Sequence, residues 1–461
     1  MTIHLYNSLT RQKELLEPMV PGKIGMYVCG LTIYDHCHIG HGRMLTAFDV
    51  IVRHLMAEGF EVTFVRNITD IDDKIIQRAN DNGESVSDVT DRYTLAMHED
   101  CDALGLLRPT IEPTATGSID EIIAMIRTLE EKGYAYQGSN GDVFFPVKRF
   151  AGYGELSGKQ VDDLRVGARI EIDDAKNDPL DFVLWKLAKP GEPSWPSPWG
   201  HGRPGWHIEC SAMSTQFLGN QFDIHGGGMD LKFPHHENEI AQSCAATGES
   251  FARYWLHNGF VQVDNEKMSK SLGNFFTIRD ILKVFKAEEL RLFLVSAHYR
   301  KPINYSDQEL MQARTNLTRL YLALRGLPDA QPPGEETFTQ RFRDAMNDDF
   351  NTPGALAVLY DLARQINVAR KQDDLAAAAG LGALLRQLSG RLGLLQADPE
   401  TQLRGEAVGG PSDEKVEALV AQRLQAKADR DWTVADRIRD RLAEDGVVLE
   451  DRGMETRWRR Q

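Results

Sequence analysis

Two short stretches carry residue types suited to phosphate chemistry. In His38-Ile39-Gly40-His41 two imidazoles flank a glycine, with a second glycine at Gly42. Imidazoles can donate to phosphate oxygens as charge develops. Glycines let a nucleotide approach the backbone closely. Alone, the stretch reads more readily as a pair of loop histidines without a role. In Lys267-Met268-Ser269-Lys270-Ser271 two lysines and two serines precede Gly273. Such a cationic loop can close over a triphosphate and neutralise its leaving group. Alone, it could be a solvated basic loop. Together the two stretches imply a split nucleotide site.

The flanking sequence supplies elements to hold them. Lys23 to Cys29 is a short apolar run that fits a buried strand. Gly42 to Glu58 places Leu45, Phe48, Val52 and Leu55 on one helical stripe. Glu61 to Asn67 returns to alternation. Strand, loop, helix, strand is a βαβ crossover, the unit of parallel sheets. It puts His38–His41 at a helix N-terminus, where unpaired N–H groups attract phosphate. The lysine stretch follows the apolar segment Asn258 to Val263.

The rest of the chain divides by pattern. The βα alternation predicts a Rossmann-like, parallel-sheet α/β catalytic domain whose first half is 1–115. Residues 116–200 read as a connective insertion, with a helix capped by Ser118, a strand at Asp142 to Pro146, and a Pro/Gly-rich loop from Lys189 to Trp206. The second half, 201–275, contains a strand at Gln221 to His225 and a helix opened by Pro234. A linking region, 276–315, leads to an α-helical bundle at 316–397. Ser306 with Glu309 forms a capping box, and Leu317, Leu320 and Leu324 recur at helical spacing. Residues 398–412 read as linker. A small C-terminal domain, 413–461, is predicted as one long helix followed by a strand at Val447-Val448-Leu449.

Composition excludes several classes. The longest apolar run, Leu375 to Leu385, falls far short of the ~20 residues of a membrane span. No secretory pattern opens the chain, so a cytoplasmic protein is expected. Five cysteines, scattered and odd in number, make a poor disulfide framework. They are open to being free thiols, buried structural residues or metal ligands. A net charge of -15 argues against general nucleic-acid binding and leaves a local basic surface possible. Gly200-His201-Gly202-Arg203-Pro204-Gly205 matches a dinucleotide fingerprint by letter, but Pro204 stands where its helix would run. His236-Glu237 starts like a metalloprotease HExxH, yet position 240 is Ile240.

The paired signatures resemble those of class I aminoacyl-tRNA synthetases. Further stretches narrow the resemblance to the cysteinyl-tRNA synthetase family. They are Cys37 to His41, Asn67-Ile68-Thr69-Asp70-Ile71-Asp72-Asp73-Lys74, Gly205-Trp206-His207-Ile208-Glu209-Cys210-Ser211, Asp223 to Gly228, and Phe233-Pro234-His235-His236-Glu237-Asn238-Glu239. Asp348 to Pro353 and the tail, at Asp431-Trp432, Ala435-Asp436 and Leu449-Glu450-Asp451, extend it along nearly the whole chain.

The resemblance implies one zinc ion in the amino-acid pocket, on Cys29, Cys210, His235 and Glu239, a donor set consistent with zinc chemistry. Cys37, Cys101 and Cys244 then read as structural. It implies Thr69, Trp206 and His225 as substrate-binding residues, and His38, Gly40, His41, Lys267 and Lys270 as the ATP and transition-state machinery. The reaction would join L-cysteine to tRNA(Cys) through an adenylate, with Mg2+ accompanying ATP and the terminal 2′-OH as acceptor. Selection of cysteine by metal–thiolate bonding would need no editing domain. A monomer is expected. Arg457, Trp458, Arg459 and Arg460 could stack on unpaired tRNA bases or surround one buried tryptophan. An amino-sugar cysteine ligase with the same core is the alternative, and a catalytically dead RNA-binding relative a second.

Overall fold

A computed structural model describes residues 2–159, 175–263, 266–267, 275–334, 336–405, 410–452 and 455–460. The chain separates into two compact units. The first comprises 1–314, 336–358 and 391–393; the second comprises 315–335, 359–390 and 394–461.

The first unit begins with an antiparallel hairpin, β1 (His4–Asn7) and β2 (Gln12–Leu15). β3 (Lys23–Thr32), α1 (Ile39–Ala57) and β4 (Glu61–Thr69) form the expected crossover. β3 runs past Cys29 because a register shift between Val28 and Leu31 lets pairing with β4 resume beyond it. The helices α2 (Asp73–Asn82), α3 (Val86–Ala103) and α4 (Ile119–Glu131) follow. α4 stands where expected, although the Ser118 side chain makes no capping bond.

The insertion is a four-stranded antiparallel sheet of β5 (Tyr136–Gln137), β6 (Val143–Phe145), β7 (Phe182–Leu187) and β8 (Gly202–Pro204). β8 corrects the loop expected over Lys189 to Trp206. Its three residues are too short to alternate visibly, and only pairing with β7 makes them a strand. Val143, Phe145, Leu184 and Trp185 meet Ile122 and Ile126 of α4 in one core.

α5 (Trp206–Leu218), β9 (Phe222–Gly228), α6 (Glu237–Thr247) and β10 (Ala252–Asn258) return to the main sheet. Its order is β10-β9-β3-β4, parallel throughout. Pro234 does not open α6. It follows a cis peptide in an irregular turn, Lys232–His236, where Phe233 is extended, and the regular helix starts at Glu237. A second small sheet joins β11 (Val261–Val263), β12 (Glu266–Lys267) and β13, after the short helices α7 (Ile278–Leu282) and α8 (Ala287–Ser296). β13 (Ile303–Tyr305) pairs in parallel with β11, a strand within 276–315, a region expected only to link.

Helices α9 (Asp307–Leu324), α10 (Glu336–Asn347), α11 (Thr352–Lys371) and α12 (Leu375–Gly390) follow along the chain, divided between the two units. The Glu309 N–H donates to the Ser306 hydroxyl at 3.3 Å, as a cap requires. In the second unit, α13 (Pro399–Arg404) occupies part of the expected linker, started by an Asp398 cap. The expected long terminal helix is two, α14 (Asp413–Ala428) and α15 (Trp432–Glu444). Arg430, at φ 59, breaks the helix, and the Asp431 side chain caps the next one.

β14 (Val447–Arg452) and β15 (Glu455–Arg460) then form a hairpin. Trp458 is 1% exposed, packed on Val416, Val420, Leu442 and Val447. Arg404 and Arg460 lie over its ring and Glu417 accepts its indole N–H at 3.0 Å. Of the two readings for Trp458, burial is the one observed, and stacking of that ring on a base is excluded.

Candidate active site and metal centre

The histidine signature starts α1. His38 is the N-cap, with φ -95 and ψ 167. Its Nδ1 accepts from the His41 N–H at 3.2 Å, and its own N–H donates to His41 Nδ1 at 3.4 Å. The two rings stack with centroids 3.5 Å apart. The imidazoles thus form a reciprocal cap usually made by hydroxyl and carboxylate side chains. No acidic residue stands in the first turn, so the positive end of the helix dipole is not neutralised there.

The exit of the lysine stretch is tied to this cap. The Ile39 N–H donates to the Phe276 carbonyl at 3.0 Å, and the Ile278 N–H to the Cys37 carbonyl at 2.9 Å. His38 and Thr277 form an antiparallel bridge, and the Phe275 ring lies edge-on to His38. A Cβ on Gly42 would stand 3.3 Å from Ile278 Cδ1, which explains glycine there. Lys267 lies on β12, paired with Gln262. Its side chain and all of Lys270 fall outside the described residues.

Four distant residues converge on one buried cluster. Cys29 comes from β3, Cys210 from the first turns of α5, His235 from the irregular turn and Glu239 from α6. Their donor atoms lie within 4.8 Å of one another. Cys29 Sγ is 3.7 Å from Cys210 Sγ and 3.3 Å from Glu239 Oε1, and His235 Nε2 is 3.1 Å from that oxygen. Thiolates about 2.3 Å from a tetrahedral zinc would be about 3.8 Å apart. The donor set therefore fits the metal.

A second grouping, Cys29, His225, His236 and Glu239, shares two of these residues. It has only one thiolate. His225 Nε2 already bonds Glu239 Oε2 at 2.8 Å, and His236 Nδ1 bonds His257 at 2.9 Å. These histidines are better read as orienting the donors than as replacing them.

Among the protein groups alone, electrostatics lower the pKa values of Cys210 and Glu239 and raise those of Cys29 and His235. A hydrogen bond from Cys29 draws the Cys210 thiol down to about 6 against its burial. Burial and that same contact push Cys29 well above the thiol range. Burial opposes charge on Glu239, yet His225 and His235 hold it well below the carboxylate range. Burial likewise opposes charge on His235, and Glu239 and Cys210 raise it to about 10.

The three expected pocket residues gather around this cluster. The Trp206 ring is half-exposed, 4.3 Å from the His235 ring. His225 is buried and stacks on Trp255 at 4.3 Å. The Thr69 hydroxyl donates to Glu209 Oε2 at 3.1 Å. Sequence reasoning gave no role to Asn67 or Glu209, although both lie inside the quoted stretches. Asn67 Oδ1 accepts the Gly30 N–H at 2.8 Å and lies 3.7 Å from Cys210 Sγ. Cys37 and Cys101 are buried apart from the cluster, and Cys244 is half-buried.

Known proteins resemble this chain in sequence and in fold. Residues 15–315 match the model of the tRNA synthetases class I (C) catalytic domain, 341–396 the DALR domain, and 412–459 the cysteinyl-tRNA ligase anticodon binding domain. A solved Mycobacterium tuberculosis methionyl-tRNA synthetase with methionyl-adenylate has TM-score 0.56 at 14% identity, covering 80% of this chain and 89% of its own. The Agrobacterium radiobacter K84 agnB2 LeuRS–tRNA–LeuAMS complex has TM-score 0.61 at 12% identity, covering 82% and 85%. Fold and paired signatures define a class I aminoacyl-tRNA synthetase.

Among sequence relatives, the cysteine–tRNA ligase of Alkalilimnicola ehrlichii is 60% identical over 461 residues, with 100% of each chain covered. That of Thioalkalivibrio sulfidiphilus is 61% identical over 459 residues, covering 99% of this chain and 100% of its own. The chain belongs to the cysteine–tRNA ligase family. The amino-sugar ligase alternative gains no support, because the match includes the anticodon-binding domain.

Proposed function

We propose that the split site activates L-cysteine with ATP and passes it to tRNA(Cys). One observation carries this reading: β3 delivers Cys29 to the metal cluster, while the loop after it delivers His38 to a cap bridged to Thr277, a few residues beyond the lysine stretch. This supports adjacent amino-acid and nucleotide subsites.

Cys29, Cys210, His235 and Glu239 would hold zinc. When bound it supplies a soft acceptor for the substrate thiol, which the harder serine hydroxyl cannot match. The chain's own residues do the rest. Both Nδ1 atoms of the histidine pair face the backbone, so His38 and His41 would meet phosphate oxygens through Nε2. Gly40 and the open end of α1 would receive the phosphates beside them.

The cysteine carboxylate attacks the α-phosphorus and pyrophosphate leaves. Lys270, assisted by Lys267, would neutralise the charge that develops on it. No protein nucleophile is required, and catalysis is positioning plus charge stabilisation. Mg2+ would enter with ATP as part of the substrate. The 2′-OH of the terminal adenosine then attacks the adenylate carbonyl and AMP leaves.

Residues 276–315, 316–397 and 413–461 are assigned to tRNA contact, bundle and anticodon reading, and 116–200 to a connective role. No helix of the described residues is long and apolar enough to cross a membrane. A cytoplasmic monomer is the proposed working form, which sedimentation tests. The decisive experiment is cysteine-dependent ATP–pyrophosphate exchange, then acylation of tRNA(Cys). Exchange without acylation would return the reading to the amino-sugar ligase, and absence of both would reject it.

A further inference from the structure

Glu209 stands on α5 beside Cys210 and is 1% exposed. Its one hydrogen bond among the described residues comes from the Thr69 hydroxyl. Among those residues no lysine, arginine or histidine pairs with it. Other buried carboxylates of this unit differ. Asp49 faces Arg291 and Arg53, Glu58 faces Arg343 and Arg391, and Asp223 accepts the Met19 and Gly25 N–H groups. A buried carboxylate without counter-charge is costly to keep ionised. Its surroundings suit a cation that arrives from outside the chain.

The Thr69 hydroxyl is oriented for the same visitor. The Gly30 N–H fixes Asn67 Oδ1, which turns Asn67 Nδ2 toward Thr69 Oγ1 at 3.3 Å. Thr69 therefore accepts from Asn67 and donates to Glu209. A hydroxyl has one donor and two acceptor positions, so one lone pair of Thr69 remains beside the Glu209 carboxylate. An ammonium has donors for both. In cysteine the amino nitrogen and sulfur are three bonds apart, and Glu209 is the sequence neighbour of the metal-cluster thiol Cys210.

We infer that Glu209, together with Thr69, receives the α-ammonium of the amino-acid substrate. This rests on the cysteine-activating reading above. It makes the pocket selective for a thiol that carries an amine, in addition to its selection for sulfur.

The test compares two fragments of the substrate as inhibitors of cysteine-dependent exchange by the full chain: cysteamine, thiol with ammonium, and 3-mercaptopropionate, thiol with carboxylate. In Glu209→Gln, cysteamine should weaken by about tenfold or more, as loss of a charge-assisted bond implies. The KM for cysteine should rise in parallel, with 3-mercaptopropionate and zinc content unchanged. An unchanged inhibitor ratio overturns the inference. Equal weakening of both inhibitors also overturns it, since that would mark a structural role. Should Glu209→Gln lose zinc, Thr69→Val takes the same assay, where the ratio must again fall. Absence of exchange by the unaltered chain would instead remove the parent reading.

Discussion

The sulfurs of Cys29 and Cys210 lie 3.7 Å apart although 181 positions separate them in the chain. β3 brings one and α5 the other, and their contact draws the Cys210 thiol down to about 6. Cys210→Ser should therefore lose most bound zinc, measured by atomic absorption on the purified chain. The preference for cysteine over serine in exchange should fall to about a hundredfold or less, the scale on which a pocket without a specific ligand discriminates. A variant that keeps both metal and preference would remove the metal assignment.

Lys270→Ala tests the other half of the site. Loss of one group that stabilises transition-state charge costs about 10²–10³ in rate. Exchange should drop on that scale while zinc content stays unchanged. An unaltered exchange rate would deny Lys270 its role.

Gly30 is required by close approach. A Cβ there would stand 1.5 Å from the Asn67 carbonyl oxygen, a backbone atom. Relief of that overlap must move β3 against β4 where the register shift carries Cys29. Gly30→Ala should lower stability by about 3 kcal/mol or more, the scale of severe core strain. Denaturant unfolding measures it. Retained wild-type stability together with a full zinc complement would show that the strand accommodates the methyl group.

His54 gives the fold a pH dependence. It is buried, with Nε2 2.8 Å from Asn347 Oδ1, and burial pushes its imidazole down to about 4. An unfolded histidine titrates near 6.5, so the unfolded chain binds the proton first. The contribution is complete above about pH 6.5 and is lost as pH falls toward about 4, at about 1.4 kcal/mol per unit at most. Denaturation midpoints between pH 7 and 4.5 should show this decline, and His54→Gln should flatten it. Equal slopes in the two proteins would assign the dependence to other groups.

The sequence by itself determined the local pieces. Apolar spacing at Leu45, Phe48, Val52 and Leu55 marks α1, alternation marks β4, and the His38 and Lys267 stretches identify themselves by residue type. These signals are short-range, because helix and strand periods and caps are set within a few residues. The resemblance added the metal donors, which no spacing between positions 29 and 239 could reveal.

Only tertiary structure decided which partners meet. It makes a strand of Gly202–Pro204, buries Trp458, bridges His38 to Thr277, and buries Glu209 against Thr69 with no cationic partner among the described residues. Each depends on a segment far away in the chain. Crossovers of the parallel sheet close those distances, and burial then sets which charges find a partner.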